Sequence, residues 1–311
     1  MAKETLLVVE DAPDIQVLLK IYFSSQGYNV QVAGRGREAL EQARSLIPDL
    51  ILLDVNLPDM LGYDVGRTLR ADARTRHIPI IFGTARGERS DKLIGLGDVE
   101  AEGYVVKPFD MELLLAEVRN VIKRSKQKNQ THPVTNLPTA ELLNEQLRTL
   151  LTTADWALAT VRIENFDTFT ETYGSASGEE VLRFTALALN DLLTKQGQPN
   201  DFLGQTVTGP EFTLIAQADR IRSVCEQCVI RFDNEIGLHY NYRDRKQGTM
   251  RVTNPDGSER DVPLMAVAIG ILDSTKGPFY DLRELMETAE AARQQARAKV
   301  AETGKSSLHA A

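Results

Sequence analysis

Five residues carry the chemistry in this sequence: the neighbours Glu10 and Asp11, then Asp54, Thr84, and Lys107 ahead of Pro108. Asp54 closes the run Leu50-Ile51-Leu52-Leu53, four apolar residues that read as a strand buried on both faces. A core would reject that carboxylate, so it belongs at the carboxyl end of the strand, where open α/β sheets build their sites. Three carboxylates brought together repel one another unless a cation neutralises them. Mg2+ is the natural one, because it binds through one or two carboxylates plus waters and leaves room for phosphate oxygens. A carboxylate that attacks phosphorus becomes an acyl phosphate. Catalysis is then mostly positioning and neutralisation, a role that a hydroxyl and a lysine on neighbouring strands can fill.

These residues meet only if the surrounding elements bring them to one rim. Strands are expected at 5–9, 29–33, 50–54, 78–83 and 103–106. They alternate with helices at about 13–26, 37–46, 61–72, 88–96 and 111–123. The first helix would set Ile15, Leu18, Leu19 and Tyr22 on its inner face and stop at Gly27. Five βα units with short loops imply α/β architecture, a flavodoxin-like doubly wound parallel sheet. Its rim would collect Glu10 and Asp11 after the first strand, Asp54 from the third, Thr84 from the fourth and Lys107 from the fifth.

Composition sets the outer limits. The chain has 311 residues, enough for two domains, and 42% apolar content lets each have a core. A net charge of −8 offers no general attraction to nucleic acid or to an anionic membrane. The longest apolar run, 264–272, is half a membrane span, and the first residues lack the apolar length of a signal peptide. A soluble cytoplasmic protein without nucleic-acid or membrane partners is expected. Cys225 and Cys228 fall on one helical face with Ile221, Val224, Val229 and Phe232, and read as small core residues rather than a redox or metal pair. The four histidines are scattered and form no ligand cluster.

Residues 1–124 resemble the receiver domain of two-component response regulators. The resemblance rests on the pair Glu10-Asp11, on Asp54, on Thr84 before Ala85, on Tyr104, and on Lys107-Pro108-Phe109. It implies a phosphorelay in which Asp54 accepts a phosphoryl group from a sensor histidine kinase or a phosphotransfer protein. Glu10, Asp11, Asp54 and the backbone carbonyl of Asn56 would hold Mg2+. Lys107 would pair with the phosphoryl group, and the Lys107-Pro108 bond would be cis. Thr84 would turn towards the new oxygens and Tyr104 would follow it inward. The fourth helix contains Gly95 and Gly97 in LIGLGD, each costing about 1 kcal/mol in a helix interior, so it is expected to be marginal and to take part in the switch. Receivers commonly dimerise through the face built from this helix, the last strand and the last helix, which implies a homodimer enhanced by phosphorylation.

The remainder follows a different pattern. Residues 125–137 are polar, basic and Pro-punctuated, and read as a linker whose cations are the solvated end of a helix. Beyond them a mixed α+β domain with a central antiparallel sheet is expected over 138–306, with 307–311 a tail. Its helices fall near 139–152, 166–172, 179–193, 218–236 and 279–300, and its strands at 156–164, on both sides of Thr208-Gly209-Pro210-Glu211, and at 264–272. A hairpin pairs 250–253 with 260–262, turned by Asn254-Pro255-Asp256-Gly257.

This half resembles the GGDEF family, the diguanylate cyclases that join two GTP into cyclic di-GMP. VTNLP stands at the family's opening phrase, VRIENFDTFTETYGSASGEEVL at its Asp-x-Asp-x-Phe-Lys run, and TGPEF at the signature turn. The framework is kept and the chemistry is altered. The family's two metal-ligand positions are Arg162 and Pro210, and its first signature glycine is Thr208; Gly209, Glu211 and Phe212 complete the turn. Exchanging Asp for Arg at 4 Å from a divalent ion turns about 8 kcal/mol of attraction into comparable repulsion. Proline removes the second ligand. The guanine-contacting Asn and Asp align with Thr170 and Glu179, the phosphate-side Lys with Asp167, and the Gly-His histidine with Ser175. Pro199 and Phe202 stand where the Arg and Asp of the inhibitory site would, with Asp201 one place off. The expectation is a response regulator whose degenerate, non-enzymatic GGDEF output signals by contact with an unknown downstream protein. The alternatives are a weakly active cyclase working through Glu164 and Glu211, and a module that binds GTP or cyclic di-GMP without turnover.

Overall fold

The structure, a computed structural model, describes residues 4–85, 99, 101–127, 131–196, 198, 201–207, 209–253 and 257–311. The chain divides into two compact units, Met1–Asn136 and Leu137–Ala311.

In the first unit five parallel strands, β1 (Thr5–Val9), β2 (Asn29–Ala33), β3 (Leu50–Asp54), β4 (Ile80–Ala85) and β5 (Gly103–Lys107), lie in the order β2-β1-β3-β4-β5. This is the flavodoxin-like order, with its switch point between β1 and β3. Helices α1 (Pro13–Ser25), α2 (Gly36–Leu46) and α3 (Gly62–Ala71) connect β1 to β4 in turn, and α4 (Met111–Gln127) follows β5. All five residues of β3 are buried, as a strand covered on both faces requires. One core gathers Leu6, Val8, Leu19, Phe23, Leu52 and Val118.

Several boundaries differ from expectation for local reasons. β4 starts at Ile80 because the Ile78 carbonyl accepts from Arg70 Nη1 and Pro79 has no N–H to give a ladder. The inner stripe of α1 runs through Leu19 and Phe23, so Leu18, expected inside, is 52% exposed beside exposed Val17 and Ile21. Residues 125–127, expected to open the linker, continue α4. The expected helix at 88–96, with Gly95 and Gly97, lies outside the described residues.

The second unit holds a five-stranded sheet in the order β12-β11-β6-β8-β7. Its strands are β6 (Ala157–Glu164), β7 (Phe202–Gln205), β8 (Glu211–Ala216), β11 (Ala266–Asp273) and β12 (Ser307–Ala310). All pairs are antiparallel except β11 with β12. The expected tail at 307–311 is therefore mostly an edge strand, held by a ladder that ends with the Ala311 N–H on the Ile271 carbonyl. Around the sheet lie α5 (Ala140–Leu150), α6 (Phe166–Tyr173), α7 (Ser175–Gln196), α8 (Ala218–Glu235), α9 (Tyr242–Gln247) and α10 (Leu282–Thr303), with β9 (Thr249–Thr253) and β10 (Glu259–Pro263) as a separate hairpin. The middle of that hairpin's expected turn, Asn254 to Asp256, lies outside the described residues. α7 begins four positions before the expected Glu179, because Gly178 packs against Thr170 of α6 and the helix runs through it. Cys225 and Cys228 are buried on α8, and burial pushes the Cys228 thiol up to about 12. Among the described residues no helix is long and apolar enough to cross a membrane.

Candidate functional site

The carboxyl ends of β1, β3 and β5 converge as their parallel register requires. Glu10, Asp11 and Asp54 bring ligand oxygens within 4.8 Å of one another, Glu10 and Asp54 buried and Asp11 exposed. Lys107 reaches into the group, its Nζ 2.6 Å from Glu10 Oε2 and 2.7 Å from Asp54 Oδ2. Burial lifts the Glu10 carboxyl above its ordinary value, with the neighbouring Asp54 charge adding to this and Lys107 opposing it. Burial also works against the Lys107 charge, yet hydrogen bonds to Asp54 and Glu10 outweigh it and raise that pKa. The single lysine charge is shared between Glu10 and Asp54 and offsets one of the three carboxylates, so the cluster remains negative. Such a donor set suits a hard divalent cation that keeps water in its shell.

The loop after β3 is fixed by residues that the motif reading passed over. The Gly62 N–H donates to Val55 O at 2.7 Å, and a Cβ on Gly62 would lie 2.1 Å from the Asp54 carbonyl oxygen. Only glycine can close the loop there. Asp59 accepts from the backbone N–H groups of Gly36 and Arg37, which hold its carboxyl below the usual range. Its one sequence cue is the Pro58-Asp59 turn. Asn56 donates its backbone N–H to Asp54 Oδ1 at 3.4 Å. Thr84 is buried at the end of β4, on the face where Phe82 stands opposite Tyr104. Tyr104 stacks on Phe82 with ring centroids 5.5 Å apart, and burial raises its phenol pKa. The Lys107-Pro108 peptide is cis.

In the second unit, Arg162 on β6 lies opposite Glu211 on β8 in register, and the two form an ion pair. Two residues further along the same face, Glu164 pairs with Arg293 at 3.4 Å and Arg297 at 3.4 Å. Arg293 is 6% exposed and also pairs with Glu290. Sequence reasoning missed both arginines, although Arg293 interrupts a buried stripe of Ala289, Ala292 and Ala296. Gly270 permits this placement, since a Cβ there would lie 2.4 Å from the Arg293 nitrogen. A cleft of about 390 Å³ runs past Arg162, Glu164, Arg293, Arg297 and the start of α6.

Of the other signature positions, Pro210 and Phe212 turn inward and Gly209 is exposed. Pro210 is buried and its carbonyl accepts from the Ile163 N–H, Phe212 is buried, and Gly209 has φ of +110°. Thr170 donates its hydroxyl to Phe166 O in its own helix, next to the Gly178-Glu179 turn of α7. Thr208 and Pro199 lie outside the described residues. Asp201 is buried in a two-point pair with Arg220, both contacts 2.9 Å, so its carboxylate serves the fold.

Two family profiles match: "Response regulator receiver domain" over residues 6–119 and "Diguanylate cyclase, GGDEF domain" over 129–239. The chain joins a response regulator receiver domain to a GGDEF domain. Among curated proteins, the transcriptional regulatory protein CreB of Escherichia coli is 37% identical over 142 residues, 46% of this chain and 61% of that protein. The DNA-binding dual master transcriptional regulator RpaA of Synechocystis is 42% identical over 120 residues, 39% of this chain and 49% of that protein. The chain thus spans about half the length of the curated relatives it matches. Among solved structures, a response regulator of Chloroflexus aurantiacus matches with 34% identity and a TM-score of 0.38, covering 40% of this chain and all of that one. The receiver domain of a Pseudomonas aeruginosa sensor histidine kinase, described with a magnesium ion coordinated in its active site cleft, matches with 32% identity and a TM-score of 0.37 over 39% of this chain and 99% of that one.

Proposed function

We propose that this protein is a phosphorelay response regulator: Asp54 accepts a phosphoryl group from a histidine kinase or phosphotransfer protein, and the GGDEF domain relays the state without cyclase chemistry. The observation that carries the first half is the Glu10, Asp11, Asp54 and Lys107 cluster on one rim. An Asp54 oxygen bonds to phosphorus as the donor's P–N bond breaks, the electron pair returning to the imidazole. Glu10, Asp11, Asp54 and the Asn56 carbonyl would hold Mg2+, which when bound would neutralise the carboxylates and the incoming oxygens. Lys107 exchanges one carboxylate partner for a phosphoryl oxygen, and Thr84 and Tyr104 respond to the added charge. The protein works in the cytoplasm, where such donors are found, and phosphorylation favours a homodimer.

The Arg162–Glu211 pair supports the second half. A guanidinium stands where the family places a metal-binding carboxylate, and it already satisfies the Glu211 charge. Output therefore passes to a downstream protein through contact. One observation favours a second reading, GTP or cyclic di-GMP bound without turnover: three arginines line the cleft at the start of α6. Incubating the acetyl-phosphate-treated protein with Mg2+ and GTP separates the readings. Label on Asp54 with neither bound nor converted nucleotide is the expected result. Cyclic dinucleotide at a rate abolished by Glu211→Gln would overturn it.

A further inference from the structure

The segment just ahead of the second unit is folded onto the receiver. Residues 131–136 belong to the first compact unit although the GGDEF match already includes them. Thr131, His132 and Thr135 are buried. The turn closes on itself: His132 Nδ1 accepts from the Val134 and Thr135 N–H groups, and the Asn136 N–H donates to His132 O at 2.8 Å. Its last residue then grips two receiver loops. Asn136 Nδ2 donates to Pro48 O at 2.7 Å and Ile47 O at 3.3 Å, while Asn136 O accepts from His77 Nε2 at 3.0 Å.

The backbone at both ends of this grip is unusual. Asn136 has φ of +61° and Ile47 has φ of +44°. Asparagine tolerates the left-handed region, whereas a β-branched residue there is a true outlier that the surroundings must hold in place. Ile47 and Pro48 lead into β3, and His77 leads into β4. These are the strands whose opposite ends carry Asp54 and Thr84.

We propose that Asn136 is the catch of a polar latch that fastens segment 131–136 to the strand-start end of the receiver, and that occupation of Asp54 is felt at this latch. The coupling rests on Asp54 being the phosphoacceptor; the latch does not. Asn136→Gly keeps the left-handed backbone and deletes only the side-chain bonds, so it isolates the catch. Hydrogen exchange on the full chain, with acetyl phosphate labelling of Asp54 as an independent readout, tests both parts. In Asn136→Gly the amides of 131–136 exchange about tenfold faster than in the parent, with Asp54 labelling unchanged. Beryllofluoride shifts exchange in 131–136 of the parent and not of the variant. Equal exchange in parent and variant overturns the latch, as does loss of labelling in the variant, which would make the turn part of the receiver core. A parent that labels on Asp54 yet shows no beryllofluoride response overturns the coupling. Failure of labelling in the parent refutes the phosphoacceptor and the coupling that rests on it, while the parent–variant comparison still decides the latch.

Discussion

Replacing Arg162 by aspartate should turn the second unit into one whose stability depends on a divalent cation. In the parent, Arg162 and Glu211 face each other across β6 and β8 with about a third of each side chain exposed. Arg162→Asp sets two carboxylates in that register. At about 4 Å and an effective dielectric of about 20 their repulsion is about 4 kcal/mol, and solvent access lowers this to about 2 kcal/mol. A divalent ion between them is attracted to each by about 8 kcal/mol at the same distance and dielectric, before its dehydration is counted. At about a hundredfold excess over its dissociation constant, the ion adds about 2.7 kcal/mol of stability. For a unit of this size that is a rise of about 5–10 °C in melting temperature. Trp156, the single tryptophan and a buried neighbour of β6, reports on this unit alone. Its fluorescence should show the variant melting below the parent in chelator and rising by that amount with Mn2+, while the parent transition stays put. A variant blind to Mn2+, or a parent that shifts as far as the variant, would refute the claim that this guanidinium stands in for the ion.

Four further outcomes follow from the geometry. Asp54→Asn should accept no label from acetyl phosphate or from a kinase, as read by intact mass; labelling at the parental rate would reassign the acceptor. Lys107→Ala removes the cation shared by Glu10 and Asp54 and should raise Mn2+ affinity at the rim while slowing phosphoryl transfer about a hundredfold or more, checked by titration and by labelling kinetics. Gly270→Ala forces a methyl against the Arg293 backbone and should cost about 1–3 kcal/mol in urea denaturation of the second unit, followed at Trp156. Burial holds His132 at about 4, and burial together with the Arg70 and Arg76 charges, against Asp72, holds His77 at about 4. An unfolded chain takes these protons near pH 6.5, so the stabilisation from neutral imidazoles is complete above that value. It is lost as pH falls towards 4, by up to about 3 kcal/mol for buried His132 and less for partly exposed His77. Pulse proteolysis of the first unit across this window checks the sign.

The receiver was legible because its chemistry sits at strand ends, where periodicity and site residues point the same way. Leu50 to Leu53 could only be a covered strand, so Asp54 had one place to go. What stayed hidden depended on contacts between residues distant in sequence. Gly62 matters because the Asp54 carbonyl lies against it, and nothing in its own neighbours says so. Arg293 looks like any solvent-facing arginine until Gly270 draws its helix onto the sheet. Asn136 sat in a stretch whose polar composition suggests a tether, and polar residues that find backbone partners are as ordered as apolar ones. Conversely, the inner face assigned to Leu18 fails because the hydrophobic residues of α1 outnumber the positions that its core-facing stripe can take.

Strand β12 bears on how this polypeptide tolerates shortening. Trimming the last five residues would look harmless on composition, yet it would strip the partner from Ala268 to Ile271, a segment buried throughout. An uncovered, apolar strand margin recruits its like from other molecules. Loss of a short peptide at this margin should therefore surface as self-association rather than as a drop in melting temperature.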